Sequence, residues 1–171
     1  MKTLLLLRHA KAGWGKSQLD DFDRELTPDG IVAASRIGTW LAENRQIPDV
    51  ALVSTARRAQ QTWQQVTARS NNETPLLSER SLYLATPGDI LALLAKVETT
   101  VQRVIIVAHN PGIESLGQLL AGPDSEPDAA ISQLRGYPTA GLAIFSIDAE
   151  SWAEVESAPV RLVAFIRPRE L

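Results

Sequence analysis

The chain has 171 residues, 44% apolar and 22% charged, with 17 Lys plus Arg against 20 Asp plus Glu and a formal charge of −3. This is ordinary globular composition for one domain spanning 1–171; it excludes intrinsic disorder, and the slight negative balance gives no long-range pull toward nucleic acid or an anionic membrane surface. Cysteine is absent, which excludes disulfides, thiolate metal ligands and cysteine nucleophiles.

Met1-Lys2-Thr3 and four leucines begin like a secretion signal, but Arg8-His9 interrupts the run short of the roughly 7 to 15 apolar residues such a segment needs. Leu4 to Leu7 therefore read as a buried strand. No stretch approaches the ~20 apolar residues of a membrane helix, so the expected location is cytoplasmic. Ala10 to Glu25 is polar and glycine-bearing, with Trp14 and the acidic run Asp20, Asp21 and Asp23, and reads as a long functional loop. Of those acids only Asp23 gains interest from its neighbours; Trp14 is a candidate for the mouth of a site.

Thr27 then caps a helix with Pro28 at its first position, and Ala33, Ile37, Trp40 and Leu41 share one face up to about Asn44. Val50 to Val53 form a second strand, which empties into Ser54-Thr55-Ala56-Arg57-Arg58 and a helix striped by Ala59, Trp63 and Val66. Asn71 to Pro75 is a loop, Leu76 to Leu84 fits either strand or helix, and Pro87-Gly88-Asp89 opens another helix. Val104 to Ala108 is a strand, followed from Pro111 by an amphipathic helix through Leu120. Asp124 to Pro138 reads as loop or weak helix, and Leu142 to Ile147 and Arg161 to Ile166 as two more strands. Strands alternating with helices predict a three-layer α/β/α sandwich around a mostly parallel sheet.

The chain holds only two histidines, His9 and His109, and each directly follows a buried apolar run. In open parallel sheets functional groups gather just beyond the carboxyl ends of the strands, so both imidazoles and several arginines are expected on one rim. Guanidinium forks suit phosphate oxygens. A histidine attacks phosphorus only when its reacting nitrogen carries no proton, a state that neighbouring cations favour. The helix amino end at Asn110-Pro111-Gly112 would add backbone donors.

Leu-Leu-Leu-Leu-Arg8-His9-Ala10-Lys11-Ala12, Ser54-Thr55-Ala56-Arg57-Arg58-Ala59-Gln60-Gln61-Thr62 and Val107-Ala108-His109-Asn110-Pro111-Gly112 together resemble the histidine phosphatase superfamily. The nearest likeness is to its small bacterial phosphohistidine phosphatases of the SixA type. Asp23-Arg24-Glu25-Leu26-Thr27-Pro28-Asp29-Gly30 and Leu82-Tyr83-Leu84-Ala85 extend the likeness, while Thr55 and Ala108 stand where the family usually has proline and glycine. The resemblance implies a phosphoglycerate mutase-like fold, His9 as nucleophile, and Arg8, Arg58 and His109 holding the non-bridging oxygens. Arg24 and Asn110 are further candidates for touching substrate; Arg57 reads as a solvated helix-start residue. Relatives of the mutase type carry a carboxylic general acid, for which Glu79 is the candidate here, although Glu79-Arg80-Ser81-Leu82-Tyr83 resembles the SixA-type pattern without one. No metal or organic cofactor is implied. The implied substrate is protein phosphohistidine, with a histidine-phosphotransfer protein as partner; the oligomeric state is left open.

Four other readings compete. The same pocket would serve a small-molecule phosphomonoesterase or mutase, or a module that recognises phosphate without turnover. Gly15-Lys16-Ser17 after the first strand hints at a nucleotide-binding loop, but Ala10 stands where that motif wants glycine, and the strand that would end in a magnesium-binding aspartate ends in His109. Two histidines without cysteine give no metal-ligand spacing.

Overall fold

The computed structural model describes residues 1–14, 20–70 and 73–171. Gly15-Lys16-Ser17 and the start of the expected 71–75 loop lie outside the described residues. Six strands, β1 (Lys2–Arg8), β2 (Val50–Ser54), β3 (Leu76–Glu79), β4 (Arg103–Ala108), β5 (Leu142–Ile147) and β6 (Val160–Ile166), form one sheet in the order β3-β2-β4-β1-β5-β6. The first four in that order pair in parallel, whereas β5 runs antiparallel to both β1 and β6. The sheet is thus mixed, with its parallel part at the histidine-bearing strands.

Why the strand sequences are continuous apolar runs is plain from the two faces they feed. Leu4 and Leu6 enter one core and Leu5 and Leu7 the other, and β4 divides Val104 and Ile106 from Ile105 and Val107 in the same way. Helices α1 (Pro28–Glu43) and α2 (Arg57–Ser70) cover one face through Ala34, Ile37, Leu41, Ala59, Trp63 and Val66. Helices α3 (Pro87–Leu94), α4 (Gly112–Leu120) and α5 (Pro127–Leu134) supply Ile90, Leu94, Ile113, Leu116 and Ala129 to the core on the other face. This is the α/β/α sandwich expected.

Capping agrees with the sequence. Thr27 accepts the amide of Gly30 at 3.1 Å, and Thr86 and Asp89 form a reciprocal capping box on α3. Pro111 sits at the cap of α4 rather than inside its first turn. α1 and α2 cross at Gly38, where a Cβ would fall 2.3 Å from the carbonyl oxygen of Val66, so only glycine permits the approach. Leu76 to Leu84 resolves into the short strand β3 and a 3₁₀ turn at Arg80–Leu82. Trp63 is buried as expected, but Trp40 only partly so. Among the described residues no helix is long and apolar enough to cross a membrane.

Candidate active site

The parallel register sets Arg8 beside Ala108, so His9 and His109 leave neighbouring strands at the same level. Their ring centroids are 5.0 Å apart, and both side chains are nearly shielded from water, with His9 7% and His109 4% exposed. Arg58, 3% exposed, reaches them from the first turn of α2. Thr62, one turn further on, donates to the Arg58 carbonyl at 2.6 Å and accepts the amide of Ala10 at 2.9 Å, tying the helix to the chain just after His9.

His9 Nδ1 lies 2.8 Å from the Ala10 carbonyl, which can only accept, so Nδ1 carries the ring proton and Nε2 keeps its lone pair. Arg58 Nε donates to that Nε2 at 3.3 Å. Burial pushes the imidazole down to about 4; the bond to Ala10 works against this, and the cations Arg58, Arg8 and Arg24 reinforce it. His9 is therefore neutral near pH 7, with its unprotonated nitrogen beside a guanidinium.

His109 is fixed through Ser54, whose Oγ lies 2.8 Å from Nε2. Ser54 is fully buried, its oxygen accepts the amide of Ala56 at 3.3 Å, and among the described residues Nε2 is the acceptor within reach of its hydroxyl proton; with that proton donated to Nε2, the imidazole proton sits on Nδ1. Nδ1 is buried and has no partner. Burial, then His9 and Arg58, push this ring down to about 3. Arg8 donates to the Tyr137 carbonyl at 2.7 Å through Nη1, while its buried Nε is also unpartnered. Buried donors without partners are uncommon, and here two of them come from residues flanking the same pocket. They are what an oxyanion would satisfy.

Asp21 is the residue sequence reasoning missed. Its Oδ2 accepts from Arg58 Nη2 at 3.0 Å and from the Tyr83 hydroxyl at 2.7 Å, its Oδ1 lies 3.1 Å from Arg24 Nε, and its backbone carbonyl also accepts from Arg58. Partial burial would raise the carboxyl, but the bond from Tyr83 and the Arg58 cation outweigh it and hold Asp21 below the usual carboxylate range. The same bond, together with burial, pushes Tyr83 up. Asp23, favoured over Asp21 by its neighbours in sequence, is exposed and forms no ion pair among the described residues. The only available clue was chemical, namely that the Arg58 cation needed an anion.

The other candidates fall at different places. Arg24 lies at the rim with its guanidinium 4.6 Å from the exposed Trp14 ring, which places Trp14 at the mouth. Asn110 is at the end of β4, but its amide group donates to Glu114 Oε2 at 2.9 Å and to the Tyr137 carbonyl at 3.3 Å, so it braces that wall. The backbone donor of Ile113 is likewise taken by the His109 carbonyl. Glu79 joins the neighbourhood through its backbone, accepting from the amide of Thr55 at 3.3 Å; its half-exposed carboxylate makes no polar contact among the described residues. The carboxylate in contact with Arg58 is that of Asp21. Arg57 pairs with Glu25 at 2.5 Å, outside the pocket. Among the described residues no group of three or more His, Asp or Glu side chains is disposed to hold a metal ion.

Residues 4–83 match the family described as the histidine phosphatase superfamily (branch 1). The fold superposes with a TM-score of 0.82 on a provisionally named phosphohistidine phosphatase SixA from Nakamurella multipartitia, 32% identical and covering 98% of this chain and 96% of that one. A provisionally named SixA from Agrobacterium tumefaciens gives 0.79 at 33% identity, covering 98% and 99%. An uncharacterized protein of Mycobacterium tuberculosis is 35% identical over 165 residues, which is 95% of this chain and 100% of the relative. The chain belongs to the histidine phosphatase superfamily, and the activity that its fold and relatives support is that of a phosphatase.

Proposed function

We propose that this protein hydrolyses phosphohistidine on a protein through a transient phosphoryl group on His9. The observation that carries the reading is the tautomer of His9, whose proton is held on Nδ1 by the Ala10 carbonyl while Nε2 faces Arg58 and His109. Nε2 attacks phosphorus, its bond forming as the substrate's N–P bond breaks; the substrate imidazole, protonated on its other nitrogen, leaves neutral. Water then attacks the phosphoryl group, forming an O–P bond as the His9 N–P bond breaks, and phosphate departs. Arg8, Arg58 and the Nδ1 proton of His109 steady the oxygens, since phosphoryl transfer needs mainly positioning and charge stabilisation.

The carboxylate at the pocket favours a nitrogen leaving group. An alkoxide needs its proton delivered, but Asp21 is held ionised by Tyr83 and Arg58 and has no proton to give. A protonated imidazole departs without that help. A histidine-phosphotransfer protein is the partner this chemistry suits. The test is incubation with phosphoramidate followed by a quench: the parent should carry a label that survives alkali but not acid, and His9→Ala should lose both label and turnover. Turnover by His9→Ala at the parent's rate would sink the assignment.

A further inference from the structure

Beside the pocket runs a groove of about 400 Å³ between the amino-terminal half of α1, the 138–139 segment and the residues after β6. Four of its lining residues are cations, Lys11, Arg36, Arg167 and Arg169, against the single acid Asp29. In a chain of net charge −3 that is a local inversion of sign. The groove is joined to the nucleophile on two sides. Lys11 is two residues past His9, so their Cα atoms lie within about 7 Å; on the other wall, Ala140 next to Thr139 donates its amide to the carbonyls of Arg8 and His9, each at 3.1 Å.

Arg167 is the part that a merely solvated face does not explain. Only 5% exposed, it donates through Nε to Ser132 Oγ at 3.1 Å and through Nη2 to the carbonyls of Ser132 and Gly136 at 2.5 and 2.8 Å. Among the described residues its Nη1 makes no hydrogen bond and no carboxylate pairs with it. The carbonyls at the carboxyl end of α5 and the Phe165 ring, 5.4 Å away, steady the cation without neutralising it, and it lines an open concavity. Arg36 also lacks a carboxylate, donating instead to the Pro168 carbonyl at 3.3 Å. Lys11 with Asp29 at 3.5 Å and Arg169 with Glu170 at 3.9 Å are exposed pairs of little strength, readily exchanged for another anion.

We infer that this groove seats an acidic segment of the protein substrate next to its phosphohistidine, with a carboxylate of that segment on Arg167. The inference rests on the protein-phosphohistidine reading and supplies what that reading lacks, a means of choosing among phosphoproteins. Carboxylates meeting several cations steer encounter and fix orientation more than they add raw affinity, so the gain should appear in kcat/KM and fall with salt.

Two synthetic phosphohistidine peptides test it, one flanked by glutamates and one by glutamines, with free phosphoramidate as a third substrate. The parent should favour the acidic peptide about tenfold in kcat/KM at low salt. Arg36→Glu/Arg169→Glu, which alters only exposed side chains, should erase that preference and leave phosphoramidate turnover unchanged. Arg167→Gln should do likewise, with a thermal melt to confirm folding. Equal turnover of the two peptides by the parent, or a preference that survives both sets of substitutions, overturns the groove while leaving the phosphatase reading intact. Absence of turnover on all three substrates overturns that reading and the groove with it.

Discussion

The ends of β1 and β4 lie side by side and each delivers one imidazole to the pocket, yet they fix those rings by different means. His9 is oriented by the main chain, through the carbonyl of the very next residue. His109 is oriented by a side chain from another strand, the hydroxyl of Ser54 on β2. A ring held by backbone can be deleted but not re-aimed by substitution of its partner, whereas a ring held by a hydroxyl can be turned by one change. The residue we propose as nucleophile has the more robust arrangement.

Breaking the comparison outright gives the largest effects. Removing the proposed nucleophile, as in His9→Ala, should abolish turnover, while His109→Ala, which deletes one proposed donor to the phosphoryl oxygens, should lower kcat by roughly 10²- to 10³-fold and leave a weak label on His9. Detection of equal phosphoenzyme in both variants would contradict the division of roles. Next comes the anchor of Arg58: Asp21→Asn keeps the shape but removes the charge, and kcat/KM should fall on the order of tenfold as Arg58 loses its charged partner. Ser54→Ala frees the His109 ring without touching His9, so a loss of up to about tenfold is expected in single turnover, and Ser54→Thr, retaining the hydroxyl, should restore most of it. Glu79→Gln should change nothing measurable, because that carboxylate makes no polar contact among the described residues. A strong loss there would return the proton-donor role to Glu79.

Both rings also predict a common pH dependence. In the unfolded chain each imidazole takes a proton as pH falls through its ordinary value near 6.5, but the folded protein refuses it until about 4 for His9 and about 3 for His109. Stability contributed by the neutral rings is thus fully present above pH 6.5 and is lost as pH drops toward 4. Urea midpoints measured at pH 7 and pH 5 should differ in that sense, and less so in His109→Ala. Activity should persist to lower pH than an ordinary histidine allows, failing only near pH 4.

The parts legible in sequence were those where one local pattern decides. Leu4 to Leu7 and Val104 to Ala108 are apolar throughout because both sheet faces are covered, and Thr27-Pro28 is a sufficient start signal for α1. Leu76 to Leu84 was ambiguous because β3 is an edge strand of four residues whose Leu76 and Leu77 remain exposed, which removes the periodicity that would mark it. The switch to antiparallel pairing at β5 leaves no mark in composition. Asp21 was hidden for another reason: its partners Arg58 and Tyr83 are 37 and 62 residues away, and an acid in a polar loop looks like hydration until the fold brings a cation to it.

The bare crossing at Gly38 has a reach beyond packing. Helix α2 carries Arg58 at its start and rests on α1 at Val66, two turns along, with no room for even one methyl group. An alanine at position 38 would lever the whole rod outward and swing its leading arginine off the imidazole it serves. Such an allele would look innocuous on any map of the pocket and should still lower turnover.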